Sequence, residues 1–261
     1  MSRQRIDTAL TERGLAPSRA SAAASVRAGR VRVGRDGPRA LKPSQMVGSD
    51  IELTLEERPR FVSRGGVKLD NAIAALGVEV AGRACLDVGA STGGFTDCLL
   101  QHGAAHVVAL DVAYGQIDHS LREDDRVTAI ERVNARTITA GDLPLRPVLA
   151  TIDVSFISLA KVLPAVAAVL VPGGEILALV KPQFELGRGR VGKGGVVRSA
   201  DDRREALLTV AAAARRLGLP VRGFASSGLP GPKGNRESFI WCGGGGEGVA
   251  DLEDAVRTAE P

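Results

Sequence analysis

Short apolar runs alternate with longer segments of helical periodicity over residues 61–243. The predicted strands, in chain order, are residues 84–88, 106–111, 127–130, 149–156, 175–181, 221–225 and 238–241. Segments with apolar positions every three or four residues separate most of these runs, including an amphipathic helix over residues 201–217. Because strands that alternate with helices form parallel sheets covered on both faces, the pattern predicts an α/β domain with a Rossmann-like, mostly parallel sheet of seven strands.

The first 57 residues follow a different pattern of two short helices and then two short strands. A segment of about 55 residues buries little apolar surface, so we expect a small α+β binding module rather than an independent catalyst. Arg58-Pro59-Arg60 has the composition of a linker. We therefore predict a small module at residues 1–57, a linker at 58–63, a larger domain at 64–243 and a flexible C-terminal tail at 244–261.

Charge is distributed unevenly along the chain. The formal net charge is only +4, but residues 1–42 carry ten basic side chains against three acidic ones, so the remainder is mildly acidic. A basic module on an acidic body is typical of a protein that docks on a polyanion such as RNA.

Composition also excludes some classes of protein. No apolar window approaches the roughly 20 residues of a membrane span, and the N-terminus lacks the apolar core of a secretory signal. The three cysteines (Cys85, Cys98 and Cys242) and the three histidines show no metal-ligand spacing. We therefore expect a cytoplasmic protein with no disulfide, no metal site and no membrane span.

A glycine-rich turn follows the first strand of the larger domain. It has the sequence Asp-Val-Gly-Ala-Ser-Thr-Gly-Gly-Phe over residues 87–95, and it leads into a helix. A dinucleotide site requires a glycine at the position of Ser91, where a pyrophosphate approaches the backbone most closely. The turn resembles instead the S-adenosylmethionine pocket of class I methyltransferases. A nicotinamide cofactor and glycines with a purely structural role remain alternatives at this point.

Two later strand ends add candidates to this cofactor site. Asp111 ends the second strand, where a carboxylate can accept both hydroxyls of a ribose. Asn134 follows the third strand and could reach an adenine edge, or it is an ordinary turn asparagine. The candidate cofactor residues are Asp87, Gly89, Ala90, Ser91, Gly93, Gly94, Phe95, Asp111, Val112, Asn134 and Asp153.

Four charged residues need a common explanation. Asp153 and Lys181 interrupt or end apolar strands, Glu237 precedes the last strand, and Lys68, taken alone, fits a surface lysine on a helix. The carboxyl ends of parallel strands face one crevice, where two lysines and two carboxylates would compensate one another. A lysine that desolvation keeps uncharged can accept a proton from a poor nucleophile such as a ribose 2′-hydroxyl.

The order Lys68, Asp153, Lys181, Glu237 resembles the catalytic tetrad of the FtsJ class of RNA 2′-O-methyltransferases. The phrases Ser-Arg-Gly-Gly-Val-Lys-Leu at residues 63–69 and Val-Lys-Pro-Gln-Phe-Glu at 180–185 resemble the TlyA family in particular. The resemblance implies that Lys181 is the general base and that Lys68 helps to tune it and to position the substrate. It further implies that Asp153 orients the lysine and lies near the methyl group, and that Glu237 completes the network. It also implies S-adenosyl-L-methionine as cofactor and cytidine 2′-hydroxyls of 16S or 23S ribosomal RNA, alone or in subunits, as substrate.

The N-terminal module resembles the RNA-binding domain typified by small-subunit ribosomal protein four, including Ala-Gly-Arg-Val at residues 28–31. A glycine-rich basic loop at residues 183–198 is a further candidate contact, as a flap that grips phosphates and orders on the substrate; the alternative is a mobile loop without this role. The candidate RNA-binding residues are Arg3, Arg5, Arg19, Arg27, Arg30, Arg32, Arg64, Arg188 and Lys193.

Other functions are possible for such a chain. A base-amine methyltransferase would carry a proline-rich turn after the fourth strand, and a cytosine-carbon methyltransferase would need a cysteine in the crevice; neither is found. A pseudouridine synthase can carry a similar module, but it has no use for a cofactor turn. A non-catalytic ribosome-binding factor, and the cytolysin implied by the TlyA family's haemolysin label, remain alternatives.

Overall fold

The computed structural model describes residues 3–57, 59–192 and 194–260, with Arg188 described by its backbone only. Two compact units divide between Arg60 and Phe61, inside the predicted linker at 58–63. Arg58, at the start of that linker, lies outside the described residues.

The N-terminal unit is a small α+β fold. Its elements are β1 (Arg3–Arg5), α1 (Ile6–Glu12), α2 (Arg19–Arg27), β2 (Val31–Val33), β3 (Met46–Gly48) and β4 (Leu53–Leu55). Two antiparallel ribbons, β1 with β3 and β2 with β4, flank the helix pair. The apolar positions at Ile6 and Leu10 are fully buried, as expected for residues four apart on one helical face.

The C-terminal unit is an α/β fold. Its strands are β5 (Ala84–Val88), β6 (His106–Asp111), β7 (Val127–Glu131), β8 (Leu149–Ile152), β9 (Glu175–Val180), β10 (Val221–Ser226) and β11 (Ser238–Gly243). Its helices are α3 (Arg64–Leu76), α4 (Gly94–Gln101), α5 (His119–Arg122), α6 (Leu163–Val169), α7 (Pro182–Glu185), α8 (Ala200–Arg216) and α9 (Leu252–Ala259). Short 3₁₀ turns lie at Ala140–Asp142, Leu159–Lys161 and Arg188–Arg190.

The seven strands form one sheet in the order β10-β11-β9-β8-β5-β6-β7. The pairs among β9, β8, β5, β6 and β7 are parallel, while β11 runs antiparallel to both β9 and β10. Apolar side chains pack on each face, with α3 and α4 residues in one cluster and α6 and α8 residues in the other. The predicted fold class is therefore confirmed.

The antiparallel strand explains how a late residue joins the site. Ser238, the first residue of β11, pairs with Val180, the last residue of β9. Glu237 therefore lies beside Lys181 at the carboxyl edge of the sheet, although more than fifty residues separate them in sequence.

Two predictions about elements are wrong. The fourth strand ends at Ile152 rather than at Phe156, and Asp153 adds one further backbone hydrogen bond, to Val88. The predicted flexible tail contains α9, which packs Val256 into the core with only 1% of its surface exposed. Glu260 is also buried, and its Oε1 accepts a 2.7 Å hydrogen bond from Arg203. The apolar spacing of Leu252, Ala255, Val256 and Ala259 makes one helical face, which the preceding glycine run obscured.

Candidate active site

A cavity of about 750 Å³ opens at the carboxyl ends of the parallel strands. The glycine-rich turn forms one wall, the segments after β8 and β9 form a second, and residues 230–237 form a third. All four residues of the predicted tetrad line it, together with Gly89, Ala90, Ser91, Gly94 and Phe95. The structure thus brings the predicted catalytic residues and most of the predicted cofactor turn to one place.

Gly89 allows the turn to pass close to the next strand. Its φ is +84°, and a Cβ there would lie 2.5 Å from the backbone oxygen of Asp153. Any other residue would therefore clash with the segment that carries a tetrad carboxylate. Ser91 is also left-handed, with a φ of +48°, which directs the turn around the cavity wall. The glycines are required by the shape of the site.

One buried oxygen atom of the lining, Gln183 Oε1, has no hydrogen-bond partner among the described residues. Buried acceptors are almost always satisfied in folded proteins, so this atom indicates a ligand that carries a hydrogen-bond donor. Asp153 Oδ1 also lacks a hydrogen bond, but it lies 2.5 Å from Lys181 Nζ, so an ion pair already compensates it. Together with the glycine wall, the open acceptor is compatible with a nucleoside-type cofactor.

The ribose and adenine candidates lie beside the cavity rather than in its lining. The two carboxylate oxygens of Asp111 accept the backbone N–H groups of Ser91 at 2.7 Å and Ala113 at 2.8 Å, so Asp111 fixes the turn. Val112 is 71% exposed. Asn134 is exposed and its side chain accepts the N–H of Arg136 at 3.0 Å, which is the turn role that was its alternative.

Asp87 is fully buried, and its predicted contact with the cofactor is wrong. Its Oδ2 accepts a 2.7 Å hydrogen bond from Thr96, and its Oδ1 lies 3.4 Å from the Thr151 hydroxyl. Burial is the main cause that raises the pKa of Asp87 to about 7. Its role is to hold the start of α4 against β5 and β8, beneath the turn.

The first lysine–carboxylate pair joins α3 to the start of β11. Lys68 Nζ lies 2.5 Å from Glu237 Oε2, and both side chains are almost completely buried. The surface alternative for Lys68 is therefore wrong. Ser63 caps α3 by accepting the N–H of Gly65, and Phe61 and Leu69 of the same segment lie in the core. The helix is thus fixed with its lysine directed inward.

The second pair joins the ends of β8 and β9. Lys181 Nζ lies 2.5 Å from Asp153 Oδ1 and donates a 2.9 Å hydrogen bond to the Ser155 hydroxyl. The contact between Lys181 and Asp153 is an ion pair whose angles do not meet those of a hydrogen bond, so Asp153 Oδ1 has no hydrogen-bond partner among the described residues. The backbone N–H of Asp153 donates to Val88, which fixes this carboxylate beside the glycine turn.

Sequence reasoning missed three residues around this second pair. Phe156 is 91% exposed, has a φ of +64°, and lies 5.2 Å from the ring of Phe184. Glu185 accepts hydrogen bonds from the Ser158 hydroxyl and the Leu159 N–H, which ties α7 to the segment after β8. Apolar Phe156 was assigned to a strand because no sequence signal marks a left-handed phenylalanine.

Predicted RNA contacts in the N-terminal unit fall into two groups. Arg3 and Arg27 are exposed. The others make contacts within the unit: Arg5 and Arg19 with Asp7, Arg30 with Ser25 and the Glu56 carbonyl, and Arg32 with the Glu56 carboxylate. The hydrogen bond from Arg5 lowers the pKa of Asp7 to about 2. Arg30 and Arg32 therefore have structural roles at this surface.

In the C-terminal unit, Arg64 lines the cavity and donates to the Pro230 carbonyl at 3.0 Å. The side chain of Arg188 and all of Lys193 lie outside the described residues, so their roles stay predictions.

One group of possible metal ligands lies away from the cavity. Asp70, Cys98 and His102 place ligand atoms within 4.8 Å of one another, and His102 Nε2 is 2.7 Å from Asp70 Oδ1. Sequence spacing missed the group because Asp70 comes from α3 and the other two from the α4 segment. The His102–Asp70 hydrogen bond accounts for this arrangement, and the expected lack of a metal stays a prediction.

The sequence profile of FtsJ-like methyltransferases matches residues 61–244 of this chain. The chain belongs to the FtsJ-like methyltransferase family. The match spans the whole C-terminal unit up to the end of β11, and thus includes the glycine turn and all four tetrad positions. The family predicted by resemblance is confirmed.

Individual FtsJ-like relatives extend the likeness to the N-terminal unit. A Mycobacterium tuberculosis protein named 16S/23S rRNA (cytidine-2′-O)-methyltransferase TlyA is 48% identical over 98% of this chain and 97% of its own length. A solved Streptococcus thermophilus structure that carries a hemolysin name is 40% identical, with a TM-score of 0.73 over 99% of this chain and 96% of that one. An S-adenosylmethionine dependent methyltransferase from Mesorhizobium loti, only 17% identical, has a TM-score of 0.50 over 69% of this chain and all of its own, and supports the fold alone.

Proposed function

We propose that this enzyme methylates the ribose 2′-hydroxyl of cytidine in 16S or 23S ribosomal RNA, using S-adenosyl-L-methionine. The observation that carries the proposal is the meeting of two lysine–carboxylate pairs with a glycine turn in one cavity. The M. tuberculosis relative, which has this activity by name, supports the choice of substrate because it matches both units of the chain.

The chemistry needs a base for the hydroxyl. Bound S-adenosylmethionine supplies an electrophilic methyl group on a sulfonium. We assign Lys181 as the base, since its amine belongs to the second pair, whose Asp153 is more exposed than Glu237 of the first, and since it lines the cavity. In its neutral form, Lys181 accepts the 2′-hydroxyl proton at Nζ, which makes the oxygen a nucleophile for the methyl group that S-adenosylmethionine would supply. Asp153 and Ser155 orient Nζ, and the protonated amine is stabilised by Asp153.

The rest of the cavity rim suits a nucleotide. Phe156 and Phe184 present aromatic faces beside Lys181, on which a base taken out of its stack can rest. Arg64 and Lys233 add positive charge to the lining, where a phosphate can be held. The exposed Arg3 and Arg27 of the N-terminal unit are our candidates for contacts with the RNA backbone. A ribosomal substrate implies a cytoplasmic site of action.

The direct test is to map 2′-O-methyl marks on ribosomal RNA after incubation with the protein and cofactor. We expect marks at cytidines with the wild-type chain, and none with Lys181→Ala. Lys161→Ala is a matched control, because Lys161 is an exposed lysine outside the cavity lining, and it should leave the marks unchanged. Marks that form equally well with Lys181→Ala would remove Lys181 from the base role.

The same experiment separates the proposal from its two alternatives, both of which predict that no marks form. A non-catalytic ribosome-binding factor would bind subunits and leave no mark. The hemolysin name of the S. thermophilus structure suggests a cytolysin, which would lyse cells without modifying RNA. In the part of the chain that the structure describes, no helix combines the length and apolar character needed to span a bilayer.

A further inference from the structure

Asn235 is a buried polar residue to which the proposed chemistry assigns no role. Only 1% of its surface is exposed. Its side-chain oxygen accepts the backbone N–H of Val197 at 2.9 Å, and its side-chain nitrogen donates to the backbone oxygen of Gly195 at 2.7 Å. The amide therefore uses both of its ends to hold one short segment of backbone.

That segment lies between α7 and α8, in the part of the predicted glycine-rich loop at 183–198 that follows α7. We refer to this part, residues 187–198, as the basic loop. Within the loop, Gly192 donates to Val196 and closes a tight turn, and Val197 is buried. Gly195 has a φ of +82°, a conformation that favours glycine. Val191 and Gly195 line the cavity, so the shape of this loop determines part of the entrance.

The other side of Asn235 is continuous with the tetrad. Its backbone oxygen accepts the N–H of Gly231, which closes the turn at residues 231–235. Glu237, two residues later, pairs with Lys68. Pro230, in the same segment, receives the Arg64 guanidinium at its carbonyl. One side-chain amide thus connects the basic loop to the segment that carries a catalytic carboxylate.

Two other anchors of the loop differ in kind. Arg190 pairs with Asp202 and Glu205 on α8, at partly exposed positions, and Arg203 donates a 2.7 Å hydrogen bond to the Arg198 carbonyl at the end of the loop. Neither Arg190 nor Arg198 lines the cavity. Exposed ion pairs contribute little and are screened by salt, whereas removing a buried amide leaves Val197 and Gly195 with unsatisfied backbone groups. The Asn235 contact is therefore the stronger restraint on the cavity side of the loop.

We propose that Asn235 is a positioning residue for substrate RNA, which holds the basic loop at the cavity entrance in the shape that admits a nucleotide. The expected effect on the KM for RNA rests on the proposed function, whereas the expected effect on loop cleavage rests on geometry alone.

The first measurement follows the loop itself. The loop offers trypsin sites at Arg188, Arg190, Lys193 and Arg198. In Asn235→Ala we expect cleavage within residues 187–198 about tenfold faster than in wild type, because two buried hydrogen bonds no longer oppose local opening. Asn71→Ala is the matched control, since it removes an asparagine-to-backbone hydrogen bond, to Ser227, that does not involve the loop.

The second measurement separates positioning from general stability. We expect Asn235→Ala to raise KM for ribosomal RNA about tenfold while kcat and the dissociation constant of S-adenosylhomocysteine change less than about threefold. Asn235→Asp keeps the acceptor for Val197 but opposes Gly195 with a second oxygen, so it should resemble Asn235→Ala although it is nearly the same size. It also serves as the second variant if Asn235→Ala does not fold.

Three results would overturn the proposal. Loop cleavage equal to that of the Asn71→Ala control would show that Asn235 does not hold the loop. Faster cleavage with an unchanged KM for RNA would leave it a structural residue only. Weaker binding of S-adenosylhomocysteine, parallel to the loss of activity, would place its effect on the cofactor. If wild type transfers no methyl group to RNA, the proposed function fails, while the cleavage comparison still decides whether Asn235 holds the basic loop.

Discussion

The two lysine–carboxylate pairs of the cavity have the same N···O distance of 2.5 Å but different surroundings. In the closed pair, the side chains of Lys68 and Glu237 are 9% and 2% exposed. In the open pair, those of Lys181 and Asp153 are 12% and 26% exposed, and Lys181 also reaches Ser155. From this difference we infer a division of roles, in which the closed pair stabilises the site and the open pair takes part in the proposed reaction.

Their positions in the fold give the physical reason. The closed pair joins the interior face of α3 to the start of an antiparallel strand, where loss of one partner would leave a charge in the core. The open pair lies on two neighbouring parallel strand ends, where the backbone turns away and the cavity begins. A reacting amine needs such access, whereas a structural ion pair needs enclosure.

The largest expected effect falls on activity in the open pair. Removal of a general base costs about 10²- to 10⁴-fold in rate, so Lys181→Ala should lower single-turnover methyl transfer by about 10³-fold. Its free energy of unfolding should fall by less than that of Glu237→Ala, since the partner left behind, Asp153, is 26% exposed. Chemical denaturation and methyl-transfer assays on one preparation measure both. Comparable losses of stability and activity would end the distinction between the pairs.

The closed pair should show the opposite emphasis. Glu237→Ala leaves the Lys68 ammonium buried and unpaired, which should cost about 3–5 kcal/mol of unfolding free energy. The double variant Lys68→Met, Glu237→Leu should regain most of that stability without regaining activity, because apolar side chains pack there without charge. Denaturant titrations of the single and double variants check this. A double variant as unstable as Glu237→Ala would show that the unpaired charge of Lys68 is not the cause of the lost stability.

Asp87 shows what burial does to a carboxylate that has no lysine partner in the structure. Burial is the main cause that raises its pKa to about 7, so the folded state binds a proton more tightly than the unfolded chain. The free energy of unfolding should therefore fall as the pH rises from about 4 to about 7, by at most about 4 kcal/mol.

Asp87→Asn keeps an acceptor for the Thr96 hydroxyl and should lose this pH dependence. Denaturation midpoints measured across that interval, for wild type and variant, provide the check. The same slope in both proteins would show that another group causes it.

The smallest expected effect concerns the rim of the open pair. Phe156→Ala should lower methyl transfer about tenfold, since base stacking on an aromatic ring contributes roughly 1–3 kcal/mol. Folding stability should change little, because the ring is 91% exposed and its backbone is left-handed. Leu41→Ala is a matched control, as Leu41 is equally exposed in the N-terminal unit. Equal activity of Phe156→Ala and wild type would remove the ring from substrate contact.

Much of this arrangement could be predicted because apolar strands and their charged ends are visible in sequence. Asp153 and Lys181 interrupt apolar runs, and a sheet with parallel strands brings such ends to one edge. The burial of Lys68 could not be predicted from its helix alone, since it depends on Glu237, 169 positions away, arriving through an antiparallel strand.

Other parts of the site depend on contacts that leave no periodic signal. The Asn235 amide binds backbone atoms of a loop 38 to 40 positions earlier, and any polar residue in a glycine-rich turn would look the same in sequence. Asp87 and Asp111 both lie near the ends of their strands, yet Asp87 is fully buried, whereas Asp111 accepts the Ser91 N–H of the glycine turn. Which strand end faces the cavity is a property of packing.

The pH dependence of single-turnover methyl transfer to ribosomal RNA, at saturating S-adenosylmethionine, tests the role of the open pair most directly. For wild type, the rate should rise about tenfold per pH unit on the acidic side, because only the neutral amine accepts the proton. For Lys181→Ala, the residual rate should not depend on pH in that range. The same rising limb in both proteins would contradict the assignment of Lys181 as the base.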